Sequence, residues 1–95
     1  MERRKLSPEE VVEKLKGLSG WTVDGDAIKR RFEFNNFAES LEFVNKVGAI
    51  AEEADHHPDI TLGWGYAEIV LTTHDRGGVT DMDIALARKI DGPAS

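Results

Sequence analysis

Asn36 and Pro58 bracket the segment whose fold is most constrained. Asn35-Asn36 ends an alternating pattern and caps a helix, with Glu39 three residues on, as a capping box requires. Pro58 excludes helix at His57, because the residue before a proline is pushed toward extended backbone. The interval predicts a helix from about Phe37 to Ala54, the longest in the chain. On a wheel of about 100° per residue, Phe37, Leu41, Val44, Gly48 and Ala51 form one apolar stripe. Phe43, Val47, Ile50 and Ala54 form a second beside it. The two span about half the circumference, against an arc of roughly 100° for a helix packed on its own sheet alone. The excess points to a second contact, either a partner subunit or a thick core in which other helices cover one stripe.

Strand patterns flank this helix. Upstream, Ser7 caps, Pro8 fits the first helical position and Glu10 completes a capping box for a helix carrying Val11, Leu15 and Leu18, with Val12 beside them, ended by Gly20. Trp21-Thr22-Val23 reads as a short strand and Asp24-Gly25-Asp26 as a hairpin turn. From Ala27 to Phe34, Ile28, Arg30, Phe32 and Phe34 share one face, predicted inward, with Arg30 an exception expected near the sheet edge. Downstream, Ile60-Thr61-Leu62 is a strand and Gly63-Trp64-Gly65 a turn. In the strand Tyr66 to Thr73, Ala67, Ile69, Leu71 and Thr73 face one way, while Glu68, Val70, Thr72 and His74 face the other. Asp75-Arg76-Gly77-Gly78 is a loop. Thr80 caps a last helix to about Ile90, ended by Gly92-Pro93 and followed by a frayed tail. Tight turns imply antiparallel pairing. The expectation is an α+β fold in the order α-β-β-α-β-β-α, a four-stranded antiparallel sheet with three helices on one face, forming a single domain over residues 1–95.

Composition narrows the function. Twelve basic residues against eighteen acidic ones give a net charge of −6, which disfavours direct binding to nucleic acid. The absence of cysteine removes disulfides, thiolate metal sites and a catalytic thiol. The charged start Met1-Glu2-Arg3-Arg4-Lys5 does not read as a signal peptide, and no apolar run is long enough to span a bilayer. No membrane partner and a cytoplasmic location are expected.

All three histidines, His56, His57 and His74, lie within 19 residues, and Glu52, Glu53, Asp55 and Asp59 crowd the first pair. Imidazole is the side chain whose ordinary pKa lies nearest neutrality. If helix end and strand end meet at one rim of the sheet, three chemistries compete. One is proton transfer between a neutral and a protonated imidazole, tuned by carboxylates. Another is a three-histidine zinc site, although adjacent histidines make awkward co-ligands and HExxH spacing is absent. The last is structural, with histidines capping a helix C-terminus.

Glu52-x-x-Asp55-His56-His57-Pro58-x-Ile60, then Thr73-His74, then Gly78-Val79-Thr80-x-x-Asp83-x-x-Leu86-Ala87 resembles the pterin-4a-carbinolamine dehydratases. Gly20-Trp21 and the Ile28-x-Arg30-x-Phe32-x-Phe34 strand extend the likeness over nearly the whole chain. Ile60 departs from it, standing where some members carry tryptophan. The resemblance implies a hydro-lyase that needs neither metal nor organic cofactor and removes water from 4a-hydroxytetrahydropterin, the product of aromatic amino acid hydroxylases, to regenerate tetrahydrobiopterin. It implies proton transfer by His56 and His74, with His57 orienting the pterin. Glu52, Asp55, Pro58, Thr73 and Asp83 fall at substrate-site positions. Asp83 could equally finish the capping box of its helix. The resemblance also implies a homodimer by sheet extension or a homotetramer through the long helices. Mammalian members serve besides as a dimerisation cofactor of a homeodomain transcription factor, a role that does not carry over. A non-catalytic pterin-binding or oligomerising module on the same fold is the alternative.

Overall fold

The computed structural model describes residues 4–94. The opening Met1–Arg3 and the last residue of the expected frayed tail, Ser95, lie outside them. The elements are α1 (Pro8–Lys14), β1 (Thr22–Asp24), β2 (Ala27–Glu33), α2 (Phe37–Ala54), β3 (Asp59–Gly63), β4 (Tyr66–Leu71) and α3 (Asp81–Ala94), with 3₁₀ turns at Leu15–Gly17 and His74–Arg76. This is the expected order. The two hairpins join through their second strands, so the antiparallel sheet runs β1-β2-β4-β3. The central register pairs Ile28 with Leu71, Arg30 with Ile69 and Phe32 with Ala67.

Alternation decides which face the helices cover. Ile28 and Phe32 on β2, and Ala67, Ile69 and Leu71 on β4, are buried, as are Phe43, Val47, Leu86 and Ile90 on α2 and α3. Phe43 packs on Phe32 and Phe34 with ring centroids 4.6 and 5.1 Å apart, a separation at which aromatic pairs add to simple burial. Arg30, expected near an edge, lies on the interior strand β2. It stays half-buried because its guanidinium meets Asp91 of α3 at 2.9 Å, an oxygen shared with Trp21 Nε1. Gly20, at φ 95°, makes room, since a Cβ there would lie 2.6 Å from Arg30 Nε.

The caps act locally as the sequence indicates. Ser7 and Glu10 exchange both bonds of a capping box. Asn36 Oδ1 accepts the Glu39 amide at 2.9 Å, but Glu39 returns its bond to the Asn35 amide, one residue earlier than expected. The last helix continues through Gly92-Pro93 to Ala94, beyond its expected end. A proline this near the terminus removes one backbone bond and leaves little helix beyond it to disrupt. No helix among the described residues is long and apolar enough to cross a membrane.

Candidate active site

The end of α2 places the first two histidines. The His56 amide reaches back to the Ala51 carbonyl and the Asp55 amide to that of Glu52, both at 3.2 Å. This six-to-one and five-to-two pair is a Schellman closure. It needs a left-handed residue at its centre, and Asp55 takes φ 51°, ψ 41°, the single non-glycine residue at positive φ among those described. The reversal turns His56 inward, to 8% exposure, and leaves His57 exposed, held by Glu52 Oε2.

His56 meets a buried carboxylate. Its Nε2 lies 2.5 Å from Asp83 Oδ1, and Asp83 is 0% exposed. The other oxygen, Oδ2, accepts the Thr73 hydroxyl at 2.8 Å and the Thr80 amide at 2.9 Å. A carboxylate with these donors around it accepts a hydrogen bond from Nε2–H, so the neutral ring keeps its lone pair on Nδ1. That nitrogen makes no hydrogen bond within the described residues and is not sealed from solvent.

The third histidine sits on an excursion clipped at its base. Thr73 and Gly78 form an isolated antiparallel bridge. Between them the 3₁₀ turn His74–Arg76 closes with Gly77 at φ 75°. His74 therefore stands just past the strand, which ends at Leu71, and is exposed. Asp55, His56, His57, Thr72, Thr73, His74 and Asp75 line one open cleft of about 310 Å³. That lies at the small end of ligand sites, about 300–1,000 Å³. Among the described residues no group of three or more histidine or acidic side chains is arranged to hold a metal ion.

Comparison with known proteins shows the family. Residues 4–92 match the family model described as pterin 4 alpha carbinolamine dehydratase. The chain belongs to that family. It is 51% identical over 81 residues to a provisionally named pterin-4-alpha-carbinolamine dehydratase of Thermomicrobium roseum, covering 85% of this chain and 87% of the relative. A protein of the same provisional name from Sulfurisphaera tokodaii is 43% identical over 88 residues, covering 93% and 95%. Among solved structures, the transcriptional coactivator/pterin dehydratase from Brucella melitensis superposes with a TM-score of 0.91 at 37% identity, covering 97% of this chain and all of that one. A pterin dehydratase-like protein identified as a RuBisCO assembly factor in the alpha-carboxysome superposes at 0.66 with 25% identity, covering 79% and 87%.

At this candidate site the structure sorts the expected residues. His56, His57 and His74 come together, with Asp55, at one cleft. Glu52 and Pro58 do not line it; Glu52 instead holds His57. Asp83 lies behind His56 rather than in the cleft, and it serves two ends at once, capping α3 through Oδ2 and binding His56 through Oδ1. Thr73 borders the cleft, but its hydroxyl is spent on Asp83. Two cleft residues, Thr72 and Asp75, and the buried partner Thr80 were not anticipated as site residues. The Thr80-x-x-Asp83 capping spacing was the available signal for Thr80. Nothing in the sequence singled out Thr72, whose hydroxyl donates to the Asp26 carbonyl at 2.6 Å.

Proposed function

We propose that the chain is a pterin-4a-carbinolamine dehydratase in which His56 is the general base and His74 the general acid. The buried His56–Asp83 pair carries this reading, because it leaves a lone pair on Nδ1 beside two further imidazoles. His56 Nδ1 takes the N5 proton of 4a-hydroxytetrahydropterin. The N5–H electron pair becomes the N5=C4a double bond, and the C4a–O bond breaks. The leaving hydroxyl collects a proton from protonated His74 and departs as water, giving the quinonoid dihydropterin. Base and acid exchange protons with solvent at the open cleft, so no other reactant is consumed. His57, steadied by Glu52, and Asp55 flank the ring and orient it. A positioned base or acid contributes about 10²–10⁴-fold each.

The assay is dehydration of 4a-hydroxytetrahydropterin generated in situ by an aromatic amino acid hydroxylase. His74 is exposed, so His74→Ala should fold normally and lose roughly 10²-fold in kcat. A folded His74→Ala protein with unchanged kcat would remove His74 from the chemistry, and a wild type with no acceleration would remove the activity.

Self-association belongs to the same proposal. Phe37 and Leu41 on the first stripe of α2 are 45% and 41% exposed, and Val44 and Gly48 continue that face. Among the described residues this exposed start of the stripe stays uncovered, while Val44 packs on the core and Ala51 is buried, which favours a partner subunit over a thick core.

A further inference from the structure

Thr73 has one hydroxyl proton, and it goes to Asp83 Oδ2 over 2.8 Å. Thr80 must therefore donate the 2.9 Å bond between the two threonine hydroxyls. Thr80 Oγ1 in turn accepts the Met82 amide at 3.2 Å, and the Thr80 amide adds its own bond to Oδ2. Each hydroxyl thus donates once and accepts once, and the chain runs one way, from the first turn of α3 to the carboxylate. Thr73 and Thr80 are 2% and 0% exposed, so water does not compete. Among the described residues no buried side-chain polar atom lacks a partner. Hydrogen bonds in such a buried series polarise one another.

The consequence falls on His56. With Oδ2 pinned by two donors, the carboxylate cannot turn, and Oδ1 stays aimed at Nε2. We propose that Thr73 and Thr80 are positioning residues, which hold Asp83 in the orientation that keeps the His56 proton on Nε2 and the lone pair on Nδ1 at the cleft. Thr73 has a second task. Its backbone bridge to Gly78 anchors the turn that carries His74, so one residue ties both histidines to the same frame. The inference rests on the dehydratase reading, and in it neither hydroxyl touches the substrate.

Nitrogen-15 NMR of the His56 ring, at a pH where the ring is neutral, tests the arrangement without substrate. A failure here is therefore distinct from a failure of the dehydratase reading, which only the kinetics address. The wild type should show a protonated Nε2 and an unprotonated Nδ1. Thr73→Val should move the ring shifts toward a tautomer mixture and lower kcat about tenfold, as for one lost hydrogen bond to a charged group, with KM nearly constant. Thr73→Ser should restore both. A wild-type ring protonated on Nδ1 would overturn the inference with no variant needed. So would a Thr73→Val protein with wild-type ring shifts, or one whose loss lies in KM.

Discussion

Replacing Asp83 by asparagine should invert the protonation of His56 while leaving the fold in place. Asp83 presents two acceptor oxygens to His56 Nε2, the Thr73 hydroxyl and the Thr80 amide. Asparagine has one oxygen and one amide group of the same shape. The oxygen belongs on the Oδ2 side, where two donors converge and one of them, the Thr80 amide, cannot change role. The amide group then faces Nε2, which must accept, and the imidazole proton moves to Nδ1. The cleft gains an N–H where it had a lone pair. The two retained bonds go from charged to neutral acceptors, at a cost of roughly 1–3 kcal/mol in stability. At about 4–8 °C per kcal/mol for a domain of this size, the midpoint of thermal unfolding should fall by a measurable but survivable amount. The rate should fall much further, by about 10²–10⁴ in kcat, the whole contribution of a positioned base. A corresponding aspartate-to-asparagine change in serine proteases costs about 10⁴ through the wrong tautomer. The assay is the dehydration rate under saturating substrate, paired with circular dichroism and thermal unfolding of the same preparation. A cooperatively folding Asp83→Asn protein with kcat within about threefold of wild type would refute the assignment of His56 Nδ1 as base, that being far below the general-base range.

Asp55→Gly should separate stability from activity. Glycine relieves a left-handed residue that costs about 1–2 kcal/mol, so thermal unfolding should move upward while the dehydration rate falls with loss of the cleft carboxylate; unfolding at lower temperature would show that Asp55 is not strained. Leu41→Glu places a charge on the exposed stripe of α2, where apolar burial in an interface is worth about 1.5–3 kcal/mol per large side chain. Sedimentation should show a smaller species than wild type at equal concentration and unchanged circular dichroism, and identical masses would exclude this face as the interface.

Much of the architecture was legible because it rests on local rules. Ser7 and Glu10 close their box as written, and α2 ends at Ala54, the expected bound, upstream of Pro58. The alternation of Ala67, Ile69 and Leu71 identifies the buried face without reference to any partner strand. The histidine cluster was visible for the same reason, and the family motif named its chemistry. Less legible were contacts in which one residue answers to two distant neighbours. Thr80-x-x-Asp83 reads as a capping box, and it is one, but the same carboxylate also serves His56, 27 residues away. A spacing rule reports the first bond and carries no information about the second.

The sequence by itself determined the element types, their order, the inward face of β2 and the histidine cluster as the candidate site, since all of these follow from periodicity, capping and side-chain type over a few residues. The tertiary structure decided the β1-β2-β4-β3 order, the interior position of Arg30 opposite Asp91, and the division of the site into a cleft of imidazoles and a buried carboxylate behind one of them. The physical reason is desolvation. Asp83 and His56 become partners because packing α3 against the end of α2 removes both from water at the same place, and a buried polar group must find a partner there.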